Sequence, residues 1–206
     1  MKKAIRIAVT GLMAACIGAA CYFSAYPYYV RWRAARFIDV IAQLRPGITT
    51  ESQAREALRS YIPETERVVA AHWDIVSNQT IKATGYGYMF TNGGLSILHL
   101  SRPAELNASL YFRDGVLALK AVSLQKGSST CCLVLVKEPD KAFDESPKDE
   151  GSLSVEERGA PAGQIIVNLR TDASGEDRRR AYAFNLDCLA STSHCDSANS
   201  LLPGLP

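Results

Sequence analysis

The sequence predicts an α+β fold with an N-terminal transmembrane helix, a two-helix neck and an antiparallel β-sheet or small sandwich. Three observations lead to this prediction. Residues 5–25 form an apolar run, residues 29–44 space their apolar side chains at steps of three and four, and beyond Glu66 apolar residues alternate with a period of two. Steps of three and four are helical, whereas a period of two is that of a strand. A chain of 206 residues has room for one domain and an anchor.

The apolar run has the length of a membrane-spanning helix. A helix rises 1.5 Å per residue, so about 20 residues cross a hydrocarbon layer of roughly 30 Å. Arg6 is the only charge in residues 5–25. Two alternatives stay open: lipidation at Cys16 and signal cleavage after Ala20. The apolar run continues beyond both points, so we expect residues 1–28 to remain as a permanent anchor.

Aromatic and basic residues follow the apolar run, as is typical of a membrane interface. The aromatic residues are Tyr22, Phe23, Tyr26, Tyr28, Tyr29 and Trp32, and the cations are Arg31, Arg33 and Arg36. Cations also precede the run, so the charge bias that sets topology nearly cancels. The signal-like leader and the distal cysteines favour a single-pass protein of the bacterial inner membrane, with its C-terminal domain outside the cytoplasm.

The neck, residues 29–62, is predicted to contain two helices. Pro46 cannot continue the hydrogen-bond ladder of the first helix, and Gly47 accepts the left-handed conformation that follows a helix end. Thr50 with Gln53 three residues later forms a capping-box pattern, which opens the second helix.

A β-hairpin is predicted around Asp114-Gly115, because this dipeptide adopts the positive φ angles of a two-residue turn. The predicted register places apolar residues on one face as the pairs Phe112–Leu117, Leu110–Leu119, Ala108–Ala121 and Leu106–Ser123. The other face is predicted to carry the pairs Ser109–Lys120 and Asn107–Val122.

A second hairpin is predicted around Asn92-Gly93. Its register pairs Phe90 with Leu95, Tyr88 with Ile97 and Tyr86 with His99. We therefore expect an aromatic face whose members are Tyr86, Tyr88, Phe90 and His99. This face is the candidate wall of a small-ligand pocket, although a packed core with a hydrogen-bonded histidine is the simpler interpretation.

The sheet domain is predicted to span residues 63–206. Its remaining strands are predicted at residues 68–75, 131–137, 164–170 and 181–189, the last opened by a solvated turn of three arginines, 178–180. The polar, acidic segment 138–161 is predicted to be a long mobile loop, because its composition buries little apolar surface.

Four cysteines lie beyond the apolar run. Cys188 and Cys195 flank a short polar turn and are candidates for a disulfide. Cys131 and Cys132 are adjacent, so on a strand they point to opposite faces and do not fit one zinc ion. We therefore predict no metal site.

Composition and motifs argue against several classes of function. The net charge of +2 provides no strong field for nucleic acid. The three histidines, at positions 72, 99 and 194, stand singly, without a metalloprotease, hydrolase or phosphate-loop motif. The chain is therefore not expected to be an enzyme or to carry a cofactor, and the sequence does not indicate its oligomeric state.

The segment IAQLRPGITTESQAREAL, residues 41–58, resembles the helix-Pro-Gly-helix start of the small outer-membrane assembly lipoproteins of the small-protein-A type. That resemblance implies a helix opening before an antiparallel sheet and a role in the envelope. Together with the anchor, it favours a non-enzymatic interaction or scaffolding module with the membrane and an envelope protein as partners. The alternative is an extracytoplasmic domain that binds a small ligand.

Overall fold

The computed structural model describes residues 2–72, 80–91, 104–126, 132–141, 152–158, 163–190, 195 and 197–204. One long helix begins the chain, and short helices follow it and end the domain. They are α1 (Lys2–Gln43), α2 (Glu51–Ala57), α3 (Gly175–Ala181), a 3₁₀ helix (Leu186–Leu189) and α4 (Ala198–Leu201).

Seven described strands form one sheet in the order β1-β2-β3-β4-β5-β7-β6. They are β1 (Thr65–His72), β2 (Thr80–Thr91), β3 (Ala104–Arg113), β4 (Val116–Lys126), β5 (Leu133–Pro139), β6 (Leu153–Arg158) and β7 (Gln164–Leu169). The predicted α+β class is confirmed. The sheet is mixed rather than wholly antiparallel, because β5 and β7 run parallel.

The second half of α1 packs on one face of the sheet. Ala34, Phe37 and Ile41 are fully buried in the same apolar cluster as the inward residues of the strands. The rings of Tyr88 and Phe90 on β2 lie 5.1 and 5.0 Å from the Phe37 ring, centroid to centroid. The two-helix neck is not confirmed as a separate unit, because within residues 29–62 this helix is part of the core of the sheet domain.

The connection from α1 to α2 follows the predicted local chemistry. Gly47 has a φ of +77°, and its N–H donates to the Leu117 carbonyl at 2.7 Å. The capping box is present: the Gln53 N–H donates to Thr50 Oγ1 at 3.3 Å and the Thr50 N–H to Gln53 Oε1 at 2.9 Å. Because Leu117 also donates to the Thr49 carbonyl at 2.9 Å, the connection is hydrogen-bonded to the start of β4.

The Asp114-Gly115 turn is confirmed, with φ angles of 53° and 75°, but the predicted register holds only next to it. Phe112 pairs with Leu117, and the next pair is Tyr111 with Leu119. The irregularity is a β-bulge, which shifts all later pairs by one residue and reverses the face of β4. The bulge turns Val122 and Leu124 inward, whereas the predicted register would have buried Ala121 and Ser123.

Two segments depart from their predicted structure. Residues 181–189 are not a strand, because Ser174 and Asp177 form a capping box that starts α3, and the 3₁₀ helix follows. Residues 138–161 are not one loop, because β5 continues to Pro139 and β6 lies within the segment. The α3 cap is a local interaction, whereas β6 forms because it pairs antiparallel with β7 despite its polar composition.

The second predicted hairpin falls largely on residues 92–103, which lie outside the described residues, as does His99. Tyr86 pairs with Glu66 of β1 on one side and with Leu110 of β3 on the other. Because a strand has only two edges, the predicted pairing of Tyr86 with His99 is wrong.

Cys188 and Cys195 form a disulfide, with their Cα atoms 5.8 Å apart. Both residues are buried, so the bridge fixes the 3₁₀ helix beside the core. Cys132 is also buried and disulfide-bonded, while Cys131 lies outside the described residues. Cys16 and Cys21 are free and exposed on α1.

Phe37→Ala is expected to lower the free energy of unfolding by about 3–5 kcal/mol, because it leaves a cavity between α1 and the sheet. Trp32→Ala is the matched control, since Trp32 lies on the same helix with 56% of its surface exposed, and it should cost less than about 1 kcal/mol. Urea unfolding of the full chain in mild detergent measures both. Equal losses would contradict the packing of α1 in the core.

The Cys188→Ala/Cys195→Ala double variant is expected to lose about 2–3 kcal/mol of stability, because opening a short loop increases the entropy of the unfolded chain. The Cys16→Ala/Cys21→Ala variant provides the control, since these cysteines are free. Urea unfolding with and without a reductant is the measurement. If a reductant lowered the stability of both variants equally, the stabilising role of the Cys188–Cys195 disulfide would be contradicted.

Candidate functional site

The sheet carries an ion pair in its core, directly below the end of α1. Lys120 of β4 and Glu138 of β5 are cross-strand partners and both are fully buried. Lys120 Nζ lies 2.8 Å from Glu138 Oε2. The same ammonium group donates to the backbone carbonyls of Ile41 at 2.9 Å and Leu44 at 2.7 Å. Three acceptors thus surround Nζ, matching the three N–H donors of a lysine ammonium.

Arg178 and Tyr182 complete this buried cluster. Arg178 pairs with Glu138 Oε1, and its guanidinium also donates to the carbonyls of Ala173 at 3.2 Å and Thr171 at 3.1 Å. The Tyr182 hydroxyl donates to Glu138 Oε2 at 3.2 Å, and Lys120 Nζ lies 4.7 Å from the Tyr182 ring centroid.

Burial dominates the titration behaviour of the cluster. It lowers the pKa of Lys120, and the nearby Arg178 and Arg45 guanidinium groups lower it further. Burial raises the pKa of Tyr182 far above its usual range, so the phenol stays protonated and remains a donor to Glu138. The polar atoms of this cluster contact other protein groups. We therefore interpret the cluster as structural: it joins α1 and α3 to the sheet.

The predicted aromatic face divides into two environments. Tyr86 is buried: its hydroxyl donates to Glu51, its ring lies 5.7 Å from that of Phe112, and the Arg55 guanidinium lies 5.7 Å from its centroid. Tyr86 is therefore a packing residue between β2 and α2. Tyr88 and Phe90, further along β2, reach the edge of the core.

A cleft opens where Tyr88 and Phe90 meet α1. It has a volume of about 440 Å³, within the range of small-molecule sites, roughly 300–1,000 Å³. Its walls are α1 (Tyr26, Tyr29, Val30 and Arg33), the segment after α2 (residues 60–62 and Glu64) and the end of β2 (residues 88–91). We call this the juxtamembrane cleft, because its helical wall begins directly after the apolar run.

Arg33 organises the polar part of the juxtamembrane cleft. Its guanidinium donates to the Ser60 carbonyl at 3.3 Å and lies 5.4 and 5.9 Å from the ring centroids of Tyr61 and Tyr29. Burial raises the pKa of Tyr61, although Arg33 opposes that change. Glu64 is exposed on the cleft wall. The cleft thus combines an aromatic wall with one cation and one peripheral carboxylate. This combination suits the binding of a small ligand.

Sequence reasoning identified Tyr88 and Phe90 but missed Arg33 and Tyr61, because no local pattern brings residues 33 and 61 together. Lys120 and Glu138 had a detectable signal. Val134, Val136 and Glu138 share one phase of β5, and Val122 and Leu124 share the phase of Lys120 on β4. Apolar neighbours in the same phase place a charged residue on the buried face.

Other surfaces of the described chain offer less. A shallow depression of about 610 Å³ lies beside α2, lined by Glu51, Ser52, Arg55, Glu56 and Gly115, and it has no aromatic wall. Within the described ranges, no group of three or more His, Cys, Asp or Glu side chains could hold a metal ion.

Comparison with known proteins adds no relative. No protein-family model, curated protein or solved structure matches the chain.

Glu138→Gln is expected to destabilise the fold by about 3–5 kcal/mol, because it leaves the Lys120 and Arg178 cations buried without their carboxylate. Lys120→Met should cost about 2–4 kcal/mol, since it removes the donor to two helix-end carbonyls but leaves the Arg178–Glu138 pair intact. Lys137→Met, on the opposite face of β5, is the control. Urea unfolding measures the three losses. A loss of stability in Lys137→Met as large as in the other two variants would refute the stabilising role of the cluster.

Proposed function

We propose that this chain is a membrane-anchored, non-enzymatic interaction or scaffolding module of the cell envelope, whose folded domain is held rigidly at the membrane surface. The observation that carries the proposal is the continuity of α1, a single helix over Lys2–Gln43. One helix supplies both the apolar run and part of the core of the domain.

The two halves of α1 differ in exposure. Apolar side chains of the first half, among them Val9, Leu12, Met13 and Ile17, are at least half exposed. By contrast, Phe37, Ile38 and Ile41 near the other end of α1 are buried in the domain. Among the described residues, one helix is long and apolar enough to cross a membrane, and it is α1. Exposed apolar side chains along such a helix are explained if hydrocarbon surrounds them.

The disulfide supports a location outside the cytoplasm. Disulfides persist in oxidising compartments and are rare in the reducing cytosol, and Cys188 and Cys195 are joined within the domain. We therefore place the N-terminus inside the cell and the domain on the outer side of a bacterial inner membrane. In this arrangement the aromatic residues after the apolar run, from Tyr22 to Trp32, lie at the outer interface.

A second candidate function is ligand binding, and the juxtamembrane cleft favours it. Tyr88 and Phe90, which the sequence proposed as a pocket wall, line this cleft. A module that binds a ligand and one that holds an envelope partner both use a rigid, positioned surface, so the two functions are compatible.

The anchor is tested by alkaline carbonate extraction of membranes that contain the full chain. Wild-type protein should remain in the membrane pellet, whereas Leu12→Arg/Ile17→Arg should be released, because charges at the centre of a span are costly. Ile62→Arg is the control: it also places a cation on an exposed apolar residue, but outside the apolar run, so it should remain in the pellet.

Topology and processing need two further measurements on the same protein. A C-terminal reporter that is active only outside the cytoplasm should be active, and N-terminal sequencing should begin near Met1. A silent reporter would reverse the topology. A mature terminus at Cys16 or Cys21 would refute the permanent anchor.

A further inference from the structure

Resting on the proposed anchoring of α1, we propose that the juxtamembrane cleft binds the phosphate headgroup of an anionic phospholipid, with Arg33 as the phosphate ligand. The lipid belongs to the leaflet that surrounds α1 where this helix leaves the membrane. The inference follows from the height of the cleft, the direction of Arg33 and the chemistry of the walls.

The height of the cleft matches the headgroup layer. Its helical wall runs from Tyr26 to Arg33, starting one residue after the apolar run. A bilayer has roughly 30 Å of hydrocarbon within about 40–45 Å of total thickness, so each headgroup layer is about 5–7 Å deep. Tyr29 lies four residues beyond Ala25, which is about 6 Å along a helix. The cleft therefore opens within the headgroup layer.

The Arg33 side chain returns toward the membrane. Side chains on a helix tilt toward its N-terminus and cover the preceding turn. Accordingly, the Arg33 guanidinium lies over the ring of Tyr29, 5.9 Å from its centroid. Although its Cα is further from the membrane, the charge of Arg33 lies at the level of Tyr29, where lipid phosphates are found.

The walls suit a phospholipid headgroup. A guanidinium carries five N–H donors, so Arg33 can hold the Ser60 carbonyl and bind a phosphate oxygen pair at the same time. Tyr26 and Tyr29 line the cleft on the side of the apolar run, and their rings provide an apolar wall for the glycerol and the first methylene groups. Ile62, on the same cleft, is 88% exposed, and contact with lipid explains the exposure of so large an apolar residue.

The test uses the full chain in nanodiscs of phosphatidylcholine with a minor fraction of phosphatidylglycerol of the same acyl chains. Native mass spectrometry after gentle transfer to detergent measures the fraction of protein that retains one lipid of each kind. Wild-type protein should retain phosphatidylglycerol in preference to phosphatidylcholine. Arg33→Gln should reduce this preference about tenfold, the effect of losing one charge-assisted contact.

Two variants make the test specific. Arg36→Gln removes the same charge from the same helix outside the cleft, and it should change the preference less than about twofold, since exposed charges are screened by salt. Glu64→Gln removes the carboxylate from the cleft wall, so it should strengthen phosphatidylglycerol retention. Equal effects of Arg33→Gln and Arg36→Gln, or equal retention of both lipids by wild-type protein, would overturn the proposal.

Titration with glycerol phosphate distinguishes a lipid from a soluble phosphate compound. We expect no measurable binding of glycerol phosphate, because it lacks the acyl chains of the lipid. Binding as tight as that of the lipid would overturn the proposal.

Carbonate extraction separates this inference from the proposed function. A chain that stays in the membrane without lipid preference refutes only the headgroup site, whereas a chain that carbonate releases refutes the anchor.

Discussion

The structure depends on the ammonium group of Lys120, which joins the end of α1 to the sheet. The last carbonyls of a helix lack partners one turn further on. Lys120 donates to two carbonyls at this end: that of Ile41, which also accepts from the Leu44 N–H at 3.2 Å, and that of Leu44, just beyond α1. Glu138 neutralises this cation and also binds Arg178 in the middle of α3. One buried cluster therefore ties α1 and α3 to two adjacent strands, and its cost of desolvation is offset only while all members are present.

This connection gives α1 a mechanical role. Phe37 and Ile41 are buried against the sheet, so the orientation of the domain relative to the helix axis is set by core packing. A flexible linker would let the domain tumble above a membrane. Here the helix that carries the apolar run enters the core directly, and surfaces beside Tyr26–Arg33 are held at a constant distance from the end of that run.

The β2 strand shows how one pattern serves both packing and a surface site. The inner face of β2 carries an aromatic residue at every second position: Tyr86, Tyr88 and Phe90. Tyr86 is covered by α2 through Glu51 and Arg55, whereas the last two residues reach the opening beside α1. The alternation itself is the same along the strand. What differs is the element that covers each position, and this coverage separates core from cleft.

The sequence by itself determined features that depend on neighbouring residues: the apolar run, the α2 cap at Thr50, the positive φ angles at Gly47 and Asp114-Gly115, and the α+β class. It indicated Cys188 and Cys195 only as candidates for a disulfide, which the structure then showed. Only the tertiary structure decided the register of β4 beyond its bulge, the burial of Lys120, the parallel pairing of β5 with β7 and the meeting of Arg33 with Tyr61. Turns and caps are governed by contacts a few residues apart, so local chemistry specifies them. The bulge and the cleft are governed by which distant groups must be satisfied in the core, and alternation along one strand cannot reveal those groups.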